Sequence, residues 1–189
     1  IAVYSTMNCS VKQKGTIFVP AKLFSDVIKE LPDGDILLKA DATFLTIEAS
    51  NESQFVMRIP LIEDVDWKEP PALKLKNAAD ISSPKLNYMV QQVSFCIEQD
   101  SPRNYGSVGY LHKPEKNKLR LVGTDGFRLS YCDVEVDLPE DFLTNGICLS
   151  KRALSELNRM ANEGYESVHI AISEDQTTLL AQTPDYRIF

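Results

Sequence analysis

The stretch Ile147–Gly164, ICLSKRALSELNRMANEG, decides how this chain reads, because it occurs twice. The earlier copy, Ile17–Gly34 (IFVPAKLFSDVIKELPDG), aligns with it without a gap at a constant offset of 130 residues. Paired positions agree in type: Val19 with Leu149, Phe24 with Leu154, Asp26 with Glu156, Val27 with Leu157. Lys22 pairs with Arg152 and Lys29 with Arg159. Each copy reads as a strand, a helix and an exit glycine. Downstream, Asp35–Ser50 and Glu166–Thr183 each alternate as two short strands around a turn, and Ser53-Gln54-Phe55 and Tyr186-Arg187-Ile188 each begin another. The repeating unit is therefore strand–helix–strand–strand–strand, and such an internal repeat constrains the fold more than any single motif. Its helix and sheet each have one apolar face, which must cover each other, so the fold class is α+β with helices on one face of antiparallel sheets.

The 189 residues suffice for one large or two small domains, with a composition ordinary for a globular protein. No apolar run reaches the roughly 20 residues of a membrane helix, and the start shows no signal-peptide pattern. No membrane partner is expected. Cys9, Cys96, Cys132 and Cys148 are widely spaced in apolar patterns, which predicts buried thiols in a reducing, cytoplasmic setting. Both ends fall inside strand-like runs, so the chain is expected to be a fragment.

The net charge of −7 argues against nucleic acid only if charge is spread evenly. It is not. Leu23, Phe24, Val27, Ile28 and Leu31 form one apolar stripe, leaving Lys22, Asp26 and Lys29 on the other face. Pro20 suits the start of this helix and Pro32-Asp33-Gly34 its end. Glu63–Pro71 reads as an extended linker, which puts a boundary near Lys68–Lys76 and divides the chain into domains 1–72 and 73–189. Beyond it, Ser83 and Pro84 open a helix with a buried stripe of Leu86, Met89, Val90, Val93 and Ile97. Asn87, Gln91 and Ser94 face away from that stripe. Gln99–Tyr105 is a polar loop. Strands follow over Ser107–His112 and Leu119–Val122, then a tight turn at Thr124-Asp125-Gly126, and a strand over Phe127–Val136 whose acids lie on a solvated face.

Gly123-Thr124-Asp125-Gly126-Phe127-Arg128-Leu129 closely resembles the threonine–aspartate–glycine–x–arginine–leucine turn of the bacterial beta sliding clamp family. The order around it is similar to the clamp's middle domain: a helix ending near Phe95, a loop with Arg103, a hairpin, the turn, an acidic strand, and a helix opening on Lys151-Arg152. Val19-Pro20-Ala21-Lys22 resembles the start of the second helix of the clamp's first domain. The resemblance covers essentially the whole chain. It implies the latter part of the first clamp domain and most of the middle one, in a homodimeric ring that encircles double-stranded DNA and tethers the replicative polymerase. The DNA-facing residues would be Lys22 and Lys29 on one helix, Lys151, Arg152 and Arg159 on the other, and Gln99, Arg103 and Tyr105 in the loop. The segment from Arg103 to Gly109 is one residue longer than the family pattern. Thr124, Gly126, Phe127, Arg128 and Leu129 would help to form a groove for short peptides of the polymerase, clamp loader and repair proteins. The family often has histidine where Phe127 stands. Val27, Phe55 and Met57 resemble the edge that joins the partner subunit.

Blander readings stand beside these. The basic faces are also what a solvated helix shows, with Asp26 and Glu156 pairing the bases at i+3 or i+4. The turn could be a packed hairpin with an Arg128–Asp125 pair, and Val27, Phe55 and Met57 ordinary core. An enzyme is disfavoured: His112 and His169 have no matching nucleophile or second carboxylate, no cofactor is implied, and neither His nor Cys has metal-ligand spacing. The remaining alternative is a peptide-docking scaffold that never encircles DNA.

Overall fold

A computed structural model describes residues 2–49, 55–63, 65, 66, 75–98 and 108–189. The chain forms two compact units, one of Cys9–Pro70 and one of Ile1–Asn8 with Pro71–Phe189. Residues 1–8, counted with the first domain from the sequence, thus cluster with the second unit.

The smaller unit holds helix α1 (Ala21–Glu30) and an antiparallel sheet in the order β2-β3-β4, formed by Ile36–Ala40, Phe44–Ala49 and Phe55–Pro60. Alternation sets the faces: Leu45, Ile47 and Ile59 point inward and meet Val27 of α1 in a small core. Phe24, Ile28 and Leu31 pack around it, whereas Leu23, expected in the same stripe, is exposed. Asp41 shapes the β2–β3 turn by accepting from the backbone N–H of Thr43 and Phe44, at 2.8 and 2.7 Å. Ile17–Val19 was expected as a strand and is not one. A strand exists through its neighbours, and a bond from Ile62 N–H to the Phe18 carbonyl, 2.9 Å, stands here without a ladder. Every residue of β2 is exposed, including Ile36 and Leu38 on the inward face.

The larger unit contains two complete copies of the repeat. The first is β5 (Leu75–Ser82), α2 (Ser83–Ser94), β6 (Val108–Glu115), β7 (Lys118–Thr124) and β8 (Leu129–Glu135). The second is β9 (Ile147–Ser150), α3 (Lys151–Ala161), β10 (Ser167–Ser173), β11 (Leu179–Gln182) and β12 (Tyr186–Ile188). The copies exchange their first strands. One sheet runs β8-β7-β6-β9, and the other β1-β12-β11-β10-β5, where β1 is Val3–Ser5. Neither copy can complete its sheet alone, so the two fold as one body around a shared core.

That core is built by α2 and α3 lying on the inward sheet faces, with Leu86, Met89, Val90 and Val93 from one helix and Leu154, Leu157 and Met160 from the other. The approach is close because Gly109 and Gly123 stand opposite each other across β6 and β7. A Cβ on Gly123 would lie 2.7 Å from Val93 Cγ1 and 2.8 Å from Ile97 Cγ1, and one on Gly109 would lie 2.9 Å from Leu154 Cδ1. Two local expectations shift. Ser82, not Ser83, is the residue before α2; Ser83 is buried within it, with Pro84 in the first turn. Asn87 is half-buried and donates to Asn162 beyond α3 at 2.8 Å, so it ties the helices together instead of facing solvent. Of the cysteines, Cys96 and Cys132 are buried as expected, but Cys9 and Cys148 are exposed. Cys148 alternates outward on β9 while Ile147 and Leu149 point inward.

Gly123→Ala is expected to destabilise the larger unit by roughly 1–3 kcal/mol, because the new methyl must push Val93 and Ile97 from close packing. Chemical denaturation monitored by circular dichroism checks this.

Candidate DNA-facing helices and peptide-docking turn

The repeated helices hold their bases differently. On α1, Lys22 and Lys29 are exposed and, among the described residues, neither is in an ion pair. Asp26, also exposed, does not pair with them. On α3, Arg152 is exposed and likewise without an ion pair among the described residues. Arg159 is engaged twice over: its Nε meets Glu156 Oε2 at 2.9 Å and its Nη1 meets Glu163 Oε1 at 2.6 Å. Its guanidinium also lies 5.0 Å from the Tyr186 ring centre. The Glu156 contact is the i,i+3 pairing of the solvated-face reading.

Lys151 does something the sequence did not signal. Its Nζ donates to the Ile97 carbonyl at 2.6 Å, just past the end of α2, while its own helix begins at that residue. A cation there complements the negative end of the α2 dipole and locks the two helix ends together. Ser150 caps α3 by accepting from Ala153 N–H at 3.1 Å. α1 has Pro20 in that position and no side-chain cap. Gln99, Arg103 and Tyr105 lie outside the described residues.

The turn at Thr124–Leu129 is organised by Asp125, which is buried. One carboxylate oxygen accepts from the N–H groups of Phe127 and Arg128, both at 3.0 Å, and the other from Arg128 Nε at 2.9 Å. Thr124 Oγ1 donates to the Arg128 carbonyl at 2.8 Å and accepts from Gly126 N–H at 3.1 Å. Gly126 sits at φ +87°, where a side chain would be strained. The Arg128 and Phe127 N–H bonds, ahead of the Arg128 side chain, hold the Asp125 carboxyl below its ordinary pKa. Arg128 also donates from Nη2 to the Phe95 carbonyl at 2.9 Å, with its guanidinium 5.5 Å from the Phe95 ring centre. The Arg128–Asp125 pair of the packed-hairpin reading is therefore present. The turn nonetheless displays apolar surface: Phe127 is 87% exposed, Leu129 62% and Phe95 56%. Phe95 was not among the residues expected at this turn, because only the fold brings the end of α2 to a turn some thirty residues later.

The acidic strand also departs from a simple solvated face. Asp133 accepts a two-point contact from Arg120, at 2.6 and 2.7 Å, and this holds its carboxyl below the usual range. Arg120 lies 4.8 Å from the Tyr131 ring centre. Among the expected interface residues, Val27 is buried in the small core, Phe55 is half-buried against it, and Met57 is exposed. Among the described residues no His, Cys, Asp and Glu group could hold a metal, and no helix is long and apolar enough to cross a membrane.

Residues 80–188 match the central domain of the DNA polymerase III beta subunit, and residues 1–66 match its N-terminal domain. The chain belongs to the DNA polymerase III beta subunit family. Two beta sliding clamps illustrate the distance. That of Bacillus subtilis is 25% identical over 173 residues, covering 92% of this chain and 45% of the relative. That of Chlamydia pneumoniae is 29% identical over 183 residues, covering 93% and 48%. The chain thus spans about half the length of the curated relatives it matches. Among solved structures, a sliding clamp of Bartonella birtlesii bound to griselimycin superposes with a TM-score of 0.83 at 26% identity, over 98% of this chain and 49% of the other. The Thermotoga maritima beta subunit shares the fold at a TM-score of 0.83 and 23% identity, over 98% and 48%. The repeat read from the sequence is therefore the clamp repeat.

Because the folded state depresses the Asp125 pKa, the carboxylate's contribution to the turn is complete above the ordinary value of 3.8 and is lost as pH falls below it. Amide shifts of Gly126–Arg128 followed by NMR should titrate below that value, and not at all in Asp125→Asn. Arg128→Ala is expected to cost roughly 1 kcal/mol, discounted for its exposure, through the lost bonds to Asp125 and Phe95. Thermal melting of the variant measures it.

Proposed function

We propose that this chain is part of a sliding clamp: a non-catalytic, cytoplasmic processivity subunit whose complete form closes as a homodimeric ring around double-stranded DNA. Residues 1–72 are assigned to the latter part of the first clamp domain and 73–189 to the middle domain. A clamp must hold phosphates loosely and ignore bases. The observation that carries the reading is the repeated helix whose bases, Lys22 and Lys29 on α1 and Arg152 on α3, are exposed and in no ion pair among the described residues, in a chain whose net charge is −7. Acidic surface elsewhere repels DNA and leaves these faces as the attractive path.

The contributions are graded. Lys22, Lys29 and Arg152 offer full charges. Arg159 brings a charge already offset by Glu156 and Glu163. Lys151 contributes chiefly by fixing where α3 starts. Gln99, Arg103 and Tyr105 complete the proposed DNA contact from the loop. Thr124, Gly126, Phe127, Arg128 and Leu129 are assigned to a groove for short peptides of the polymerase, clamp loader and repair proteins. Asp125 and Arg128 hold its shape, and Phe127 and Leu129 supply its apolar surface. Met57, with Phe55 and Val27, is assigned to the subunit joint.

The engagement of Arg159 and Lys151 favours the second reading, a peptide-docking scaffold that does not encircle DNA, and one experiment separates the two. A chain extended to the length of its relatives is loaded on circular DNA in high salt and the DNA is then linearised. A clamp stays on the circle and slides off the linear form; equal loss from both means electrostatic binding only, and the clamp reading is abandoned. Neutralising Lys22, Lys29 and Arg152 should flatten the log–log salt dependence of DNA binding by roughly 0.9 per lost phosphate contact. Peptide binding should be unchanged.

A further inference from the structure

We infer that Glu156 and Glu163 limit the grip of α3 on DNA: they hold Arg159 in reserve, so that α3 engages a phosphate backbone only at its first turn, whereas Lys29, the repeat counterpart of Arg159, stays ready for contact on α1. This rests on the DNA-facing reading of the two helices and deepens it.

The repeat supplies an internal comparison. At the constant offset of 130, Asp26, Lys29 and Asp33 of the first copy correspond to Glu156, Arg159 and Glu163 of the second. Both copies read acid, base, acid at i, i+3 and i+7, yet only one closes. In the second copy, Arg159 Nε lies 2.9 Å from Glu156 Oε2, and Nη1 lies 2.6 Å from Glu163 Oε1. In the first, neither Asp26 nor Asp33 pairs with Lys29 among the described residues.

Two local causes separate the copies. Where the first has Pro32, the second has Asn162. Proline disfavours helical backbone at the residue before it, and Leu31 is extended at φ −69° and ψ 138°, so Asp33 is carried away from the last turn of α1. Asn162 instead keeps helical backbone, and Glu163 N–H still bonds to the Met160 carbonyl at 3.3 Å. Glu163 therefore stays one turn from Arg159, at the i,i+4 spacing where helix side chains meet. Asp26 is also one methylene shorter than Glu156, which reduces its reach toward a base at i+3. A third support is particular to α3. The Arg159 guanidinium lies 5.0 Å from the ring centre of the buried Tyr186, and a ring face attracts a cation. Burial, and after it the Glu163 carboxylate, pushes the Tyr186 hydroxyl above its ordinary pKa, so Glu163 stands near both members of that contact.

Charge decides the consequence. The trio carries two negative charges and one positive, with contacts far shorter than the roughly 8–10 Å screening length of physiological salt. A phosphate approaching Arg159 must displace a carboxylate and then face both. At the start of α3 the balance is reversed: Arg152 is exposed, is in no ion pair among the described residues, and stands at the positive end of the helix dipole. Fewer charge contacts hold the backbone more weakly. The Arg159 side chain is still 49% exposed, so neutralising its partners frees it toward solvent.

The salt dependence of DNA binding by a chain extended to the length of its relatives tests this, read as fluorescence anisotropy of a labelled double-stranded oligonucleotide between about 50 and 200 mM salt. Glu156→Gln with Glu163→Gln should steepen the log–log slope by roughly 0.9, so the gain in affinity shrinks roughly threefold across that range. The same two changes in an Arg159→Gln background should not alter the slope, which separates release of Arg159 from a general loss of negative charge. Asp26→Asn with Asp33→Asn removes the same charge from the first copy and should not steepen it either. Lys29→Gln should flatten the slope by roughly 0.9, and Arg159→Gln alone by less than half as much. Circular dichroism verifies folding. An unchanged slope in the doubly neutralised variant, an equal rise without Arg159, or a flattening by Arg159→Gln as large as that by Lys29→Gln would each overturn the inference and leave the DNA-facing reading in place. A slope that Lys29→Gln also leaves unchanged overturns that reading, and the inference with it.

Discussion

The larger unit depends on an exchange. β5, the first strand of one copy, pairs with β10 of the other, and β9 pairs with β6 in return. Each sheet is therefore finished by the other copy's chain, and the two helices are brought side by side over one core. A strand is stable only when its polar groups are paired and one face is covered. The exchange meets both needs at once. Gly109 and Gly123 let α2 and α3 settle close enough for Val93, Ile97 and Leu154 to exclude water. The smaller unit shows the contrast. Among the described residues it has one helix over three strands, no strand at Ile17–Val19, and an inward face left open at Ile36 and Leu38.

Around that frame, polar groups work mainly as struts. Arg128 joins the turn to the end of α2, Lys151 joins the start of α3 to the same end, and Lys85 joins the start of α2 to the end of β8. All three long cations reach backbone carbonyls, two of them at the C-terminal end of a helix where the dipole favours positive charge. The same residue types that suggest phosphate contact in a sequence thus have a second use in the fold. What separates the uses is the partner. Lys22, Lys29 and Arg152 remain exposed, whereas Lys151 and Arg159 are engaged. The apolar display at Phe127, Leu129 and Phe95 is held by the charged cluster beneath it, so the turn is both a packed hairpin and an exposed apolar surface.

Much was legible in the sequence because periodicity and repetition are local properties of a chain. The gapless match of the two helix copies, the apolar stripe of α2, the hairpins and the glycine turn at Gly126 follow from side-chain spacing and backbone sterics, and with them the α+β class and the clamp repeat. Tertiary structure alone decided which copy lends its first strand to which sheet, since hydrogen-bond partners far apart in sequence leave no periodic trace. It also decided that Lys151 reaches Ile97, that Arg159 is neutralised while Arg152 is not, that Asn87 faces α3, and that Phe95 joins the turn. Cys148 and Leu23 sit in apolar patterns yet are exposed. Spacing tells which face a residue occupies, but burial depends on whether another element arrives to cover that face.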